Sequence, residues 1–204
     1  RPMAEFHHCP YLGCIGPHLS RVGCLLHPVA EGNHGIDFRG LSYYGSMTCA
    51  MYFCPTHHRI APAFKRVVQA VAEDWYDYGL ILQETELLAA FYTEIIGRCK
   101  GAALNVTQAL APGVYPYWKR LFALKMTWPF ASAQRLPANY FFNDNLYERP
   151  AVDYSGTGRS GSRYDGIFRN LHSVFDSPSD LVRAEQMLDA LFAGLAVAIN
   201  GQGG

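Results

Sequence analysis

From residue 60 onward the apolar positions recur at three- and four-residue steps, the spacing of a single helix face. Phe64, Val67, Val68, Val71 and Trp75 make the first stripe and Pro62 suits a first turn, so the spacing predicts a helix over 61–78. Thr85 is placed to cap a second helix, with Leu88, Phe91, Tyr92, Ile95 and Cys99 along one side and Gly101 as its stop, and Cys99 reads as core. Pro116 opens a third helix carrying Trp118, Leu121, Phe122 and Met126, which Pro129 closes. A long aromatic and polar connection, 130–166, follows. Ile167, Leu171, Val174 and Phe175 then form a short stripe. Ser177-Pro178-Ser179-Asp180 combines a cap, a first-turn proline and an acid at the third helical position, the strongest start signal in the chain. Behind it Leu181, Ala184, Leu188, Leu191, Leu195 and Ile199 hold the helical step until Gly201.

Residues 1–59 keep neither the helical nor the strand period. Glycine and proline interrupt them every few positions, as at Gly13, Gly16, Pro17, Gly23, Pro28, Gly32 and Gly35. Such a segment cannot present a continuous apolar face, and ordering it costs entropy that something else must offset. The expected fold is therefore mainly α. A helical body, 60–204, packs against an irregular segment, 1–59, that a metal organises, the two making one compact unit.

Composition removes several function classes. Lys plus Arg and Asp plus Glu both number 17, so no net field draws a polyanion, and a nucleic-acid partner is not expected. The longest apolar stretch, Leu188 to Ile199, is too short to cross a bilayer, and Arg1 to Cys9 holds no apolar run of the kind a secretion signal needs. A soluble protein of the reducing cytoplasm is expected. The chain opens on Arg1 rather than Met, which leaves room for an upstream segment.

The chemistry concentrates at the amino end. Five of the 6 cysteines, Cys9, Cys14, Cys24, Cys49 and Cys54, lie there with seven of the 8 histidines. They form close pairs: Cys9-x4-Cys14, Cys24-x2-His27 and Cys49-x4-Cys54. A structural zinc ion takes four thiolate or imidazole ligands in a tetrahedron, commonly from two short knuckles, whereas a [4Fe-4S] cluster takes four thiolates from longer loops. Cys9, Cys24, Cys49 and Cys54 suit either group, and His27 and Cys14 are the further candidates. His27 serves equally as a ligand or as a hydrogen-bonding neighbour of a bound sulfur. Disulfides in an exported chain, or plain buried thiols, are the competing readings of the same cysteines.

Cys9-Pro-Tyr-Leu12, then Gly23-Cys24-Leu-Leu-His27-Pro28, then Cys49 and Cys54 resemble the YkgJ-type zinc- or iron-chelating cysteine-cluster domains, and more distantly the flagellin lysine N-methylases that share the pattern. The resemblance covers residues 9–55. It implies a metal centre on Cys9, Cys24, Cys49 and Cys54, and Cys14 has no counterpart in the pattern. By analogy with the methylases it also implies an alternative, an enzyme of methyl-transfer or redox type with a pocket formed by the helices and the 130–166 connection. A third reading is a module that docks a protein partner through Tyr140-Phe141-Phe142.

Three further motifs carry less. Gly156-Thr-Gly158-Arg-Ser-Gly161 matches the dinucleotide fingerprint by letter but lacks the preceding strand and following helix, so it reads as a mobile surface loop. Glu73, Asp74 and Asp77 read as the wet side of the first helix, and His7-His8 and His57-His58 as solvated doublets. Asn105-Val106-Thr107 is a glycosylation sequon by letter only.

Overall fold

The computed structural model describes residues 12–15, 21–39, 59–82, 84–99, 103–133 and 151–201. They are mainly helical. The chain divides into two compact units, residues 1–58 with 74–76, and residues 59–73 with 77–204.

In the first unit β1 (Leu12–Ile15) pairs antiparallel with β2 (Arg21–Cys24), Leu12 opposite Cys24 and Gly13 opposite Gly23. This hairpin departs from the expectation of a wholly irregular segment. Glycines within both strands hide the alternation that would announce them, and one of them is structural. A Cβ at Gly23 would run into the side chain of Ile15, which is buried over it.

The second unit holds α1 (Pro62–Val71), α2 (Trp75–Leu82), α3 (Thr85–Arg98), α4 (Val106–Ala109), α5 (Tyr115–Thr127), α6 (Asp165–Asn170) and α7 (Pro178–Asn200), the first two residues of α2 excepted. α7 packs against α3, α4, α5 and a 3-10 turn at Ser155–Thr157, while α3 also meets α6 and α1 meets α4 and α5. Its buried face is most of the expected stripe: Leu181, Ala184, Leu188, Leu195 and Ile199 are buried, while Leu191 is half-buried and Phe192 is buried beside it. Phe192 joins the rings of the body. It lies 5.9 Å from Phe91 and 6.1 Å from Tyr164, and Tyr164 meets Phe168, which meets Trp128 and Phe175. A Cβ on Gly194 would sit 2.6 Å from the Tyr117 ring, so α5 and α7 approach as closely as they do because that position has no side chain.

The start of α7 is built as its sequence indicates. Ser177 is the N-cap, its Oγ accepts the Asp180 N–H at 3.2 Å, and Pro178 occupies the first turn. Trp118 is fully buried, and its indole N–H finds the Ala109 carbonyl at 2.7 Å, the donor satisfied as burial demands.

Four expectations need correction. The single helix over 61–78 is two helices. Ala72 leaves helical geometry at ψ 132°, and tertiary bonds hold the chain there: Tyr115 donates to the Ala70 carbonyl at 3.1 Å and Lys119 pairs with Glu73 at 2.7 Å. Thr85 is the first residue of α3 rather than its cap; the N-cap is Glu84 and its side chain makes no capping bond. Met126 and Val174 are exposed, because the stripes they continue run off the covered faces of α5 and of the turn after α6. The Gly156–Gly161 stretch is fastened rather than loose: Thr157 is buried, its hydroxyl donates to the Tyr154 carbonyl at 2.8 Å, and Arg159 pairs with Glu185 on α7.

Among the described residues one charged pair lies inside the body. Lys125 of α5 is 6% exposed and donates to the carboxylate of Glu84, 1% exposed, at the head of α3. Losing one partner of a buried pair costs far more than the pair contributes, since the other charge is left without compensation. We expect Lys125→Met to destabilise the protein by about 3–5 kcal/mol in urea unfolding, and Glu84→Leu added to it to recover most of that loss. Additive losses in the double variant would show that the two side chains do not act as a pair.

Candidate metal segment and the arginine loop

The Cys24–His27 segment is the described part of the predicted metal region. β2 ends at Cys24, and the chain then runs through consecutive turns: the His27 N–H donates to the Cys24 carbonyl at 3.0 Å, Ala30 to His27 at 2.9 Å, Asn33 to Ala30 at 3.1 Å and Ile36 to Asn33 at 2.8 Å. The Phe38 N–H returns to the Leu26 carbonyl at 3.0 Å and closes the loop. Asn33 pins it from inside, its side-chain amide donating to the carbonyls of Leu25 and His27, both at 2.8 Å. Gly32 and Gly35 adopt positive φ, and so does His34 at 49°.

Cys24 is a half-buried free thiol on this scaffold. His27 accepts the Val29 N–H at Nδ1, 3.3 Å away. In the neutral ring that acceptor leaves the proton on Nε2. Beyond the loop the Arg39 guanidinium holds the Asp37 carboxyl down at about 2.

Cys9, Cys49 and Cys54 lie outside the described residues, as do Tyr140-Phe141-Phe142 and both histidine doublets. Cys14 is placed by its backbone alone, opposite Val22. Among the described residues no three His, Cys, Asp or Glu side chains gather as a metal site. Cys99 stands apart at the C-cap of α3, half-buried and free, and burial pushes its thiol up. Nor does any described helix have the length and apolarity to cross a membrane.

The described residues do assemble a second polar group that sequence reasoning passed over. Glu185 and Asp189, one turn apart on α7, face the loop Arg159-Ser-Gly-Ser-Arg163. Arg159 Nη1 donates to both Glu185 oxygens at 2.8 and 3.0 Å, and Ser162 Oγ donates to Glu185 at 2.8 Å. Asp189 Oδ1 accepts Arg98 at 2.7 Å, the Tyr164 hydroxyl at 2.8 Å, and Arg163. Arg163 also lies over the Tyr164 ring, 4.5 Å from its centre. The two arginines, the intervening serines and glycine, and the two acids line an open cavity of about 520 Å³. A sequence signal existed in the two arginines four apart and the acid pair at helical spacing. Each half reads alone as ordinary surface charge.

No protein family, curated protein or solved structure matches the chain.

We expect Asn33→Ala to release the Leu25 and His27 carbonyls together and loosen the loop that carries Cys24, by about 1 kcal/mol of local opening. Faster amide exchange confined to residues 26–38 would bear this out, and unchanged protection of His27 and Phe38 would refute it.

Proposed function

We propose that this chain is a metal-binding protein of the reducing cytoplasm, with one structural or redox-related centre held by Cys9, Cys24, Cys49 and Cys54 as a [4Fe-4S] cluster or a zinc ion. One observation carries the reading. Five of the 6 cysteines fall in the part of the chain where, among the described residues, only Ile15 and Ala30 are buried apolar side chains. Metal–thiolate bonds are the strong local interactions that the side-chain chemistry of such a segment makes available, and their formation is coupled to folding. The likeness of residues 9–55 to the YkgJ-type cysteine-cluster domains supports the same ligand set. His27 then donates its Nε2 proton to a coordinated sulfur, which steadies the thiolate and lowers the charge it presents to the metal.

The test is anaerobic purification followed by metal and sulfide analysis and an absorption spectrum. Iron with acid-labile sulfide and a broad violet band identifies a cluster; one zinc and no colour identifies a structural site. Cys24→Ser releases the metal and destabilises the amino-terminal unit by an amount on the order of several kcal/mol, whereas Cys14→Ser and Cys99→Ser retain it. Full metal content in Cys24→Ser overturns the assignment.

A further inference from the structure

We propose that the Arg159–Arg163 loop and the face of α7 beneath it form a binding site for a phosphate group, either free or carried on a small molecule. The argument rests on how the two guanidinium groups are held and on which of their N–H groups remain. Arg159 uses one nitrogen, Nη1, for both Glu185 oxygens. Arg163 uses Nη2 for Tyr164 and Asp189 while its plane rests on the Tyr164 ring. Arg159 is thus left with its Nε–Nη2 edge open, whereas Arg163, whose Nη2 belongs to both edges of its fork, keeps separate N–H groups at Nε and Nη1. Among the described residues nothing accepts from the remaining guanidinium nitrogens of either side chain, which are 49% and 56% exposed. The Arg159 fork, held by Glu185 at Nη1 and open along its other edge, is prepared to take two phosphate oxygens without further loss of side-chain entropy, and Arg163 adds single N–H donors.

The backbone adds to this. The N–H groups of Ser160, Gly161 and Ser162 make no hydrogen bond within the described protein, and the Ser160 hydroxyl is likewise open. The residues that carry these donors line the same cavity of about 520 Å³, which accommodates a phosphate with a small attached group. The loop is held to its shape by the 3-10 turn before it, by the left-handed Gly158 (φ 69°), and by Ser162 Oγ, which bonds Glu185 and accepts the Tyr164 N–H at 3.1 Å. Runs of unpaired backbone N–H groups beside arginine form anion sites of this kind without any helix terminus or βαβ unit.

Glu185 and Asp189 set the strength of the site. The lining is charge-balanced, two arginines against two acids, so no long-range field attracts the ligand and affinity comes from directed N–H bonds alone. Binding is therefore selective for a tetrahedral oxyanion over chloride. Neutralising Glu185 frees Arg159 from its anchor and loosens the fork it orients.

The experiment titrates the full-length protein with inorganic phosphate and with phenyl phosphate by calorimetry, at an ionic strength held constant with chloride. Saturable binding is expected for at least one of the two. Equal affinity means that the phosphate group alone is read, and tighter binding of the ester means that the attached group also meets the cavity wall. Ser160→Glu, which puts a carboxylate among the donors and leaves both arginine–acid pairs in place, weakens binding at least about tenfold, as does Arg163→Gln. Ser160→Ala, which keeps the backbone donors, retains most of the affinity and controls for folding. The absence of saturable binding by either probe, or binding that survives Ser160→Glu in a protein with wild-type circular dichroism, overturns the proposal.

Discussion

The helical body depends on the burial of one face of α7. Its stripe runs from Leu181 to Ile199, and the partners it covers come from α3, α4, α5 and the Ser155 turn, pieces far apart in the chain. Among the described elements it has the most partners with extensive contact. Phe192 stands at the centre, its ring against Phe91 of α3 and Tyr164 at the entry to α6, and from there the aromatic contacts extend to Trp128 and Phe175. Because these contacts share rings, a change at Phe192 is felt at both ends of the body. Interiors packed at this density transmit such changes rather than absorb them. The cap at Ser177 and the bare Gly194 are the local conditions that let the helix begin where it does and lie as close to α5 as it does.

Polar chemistry is arranged around that stripe. Where α7 turns away from the core, Glu185 and Asp189 hold three arginines and a buried tyrosine, and so fix a loop that has no regular structure of its own. Tyr154 does comparable work nearby. Its hydroxyl donates to Asp165 at 2.9 Å, and burial together with that carboxylate pushes the phenol well above its ordinary range. Segment 128–132 is tied down differently, by Trp128 Nε1 on Ser173 Oγ, by the Val174 N–H on the Phe130 carbonyl, and by the Ser132 N–H on the carbonyl of His172, itself at φ 54°. Hydrogen bonds of each kind supply modest net stability, but leaving any of these groups buried without its partner costs more than the bond contributes.

Legibility in the sequence follows from where each element's determinants lie. α7 was readable because its cap, its proline and its period are all local. α1 was readable as far as Val71, but its end was not. Ala72-Glu73-Asp74 contains nothing that forbids a helix, and what marks the break is Tyr115 and Lys119, more than forty residues away. The hairpin is hidden by Gly13 and Gly23, and the value of Gly23 lies in a cross-strand contact with Ile15 that no one-dimensional pattern displays. At the candidate site, residue types were legible and geometry was not. Cys24-x2-His27 was visible as a pair, yet only the fold shows His27 turned to accept from Val29. The arginine loop reads as mobile because Gly and Ser dominate it, and the acids that fasten it belong to another element.

The two units therefore meet the entropy of folding by different means. In the helical body it is offset by a large shared core, so no single residue outside that core decides whether the chain orders. In the described part of the amino-terminal unit the ordering is carried by backbone turns, by Asn33 and by the glycines that permit them. Turn hydrogen bonds exposed to water contribute little net free energy, but they do restrict the conformations in which Cys24 is presented. That restriction matters for any thiolate ligand. A loop already closed between Leu26 and Phe38 loses less freedom when its cysteine is bound than an open chain would, so more of the metal–sulfur bond energy is retained as affinity. On the proposed metal reading, the Asn33 network is what would hold Cys24 in a ligand's position in advance of a metal.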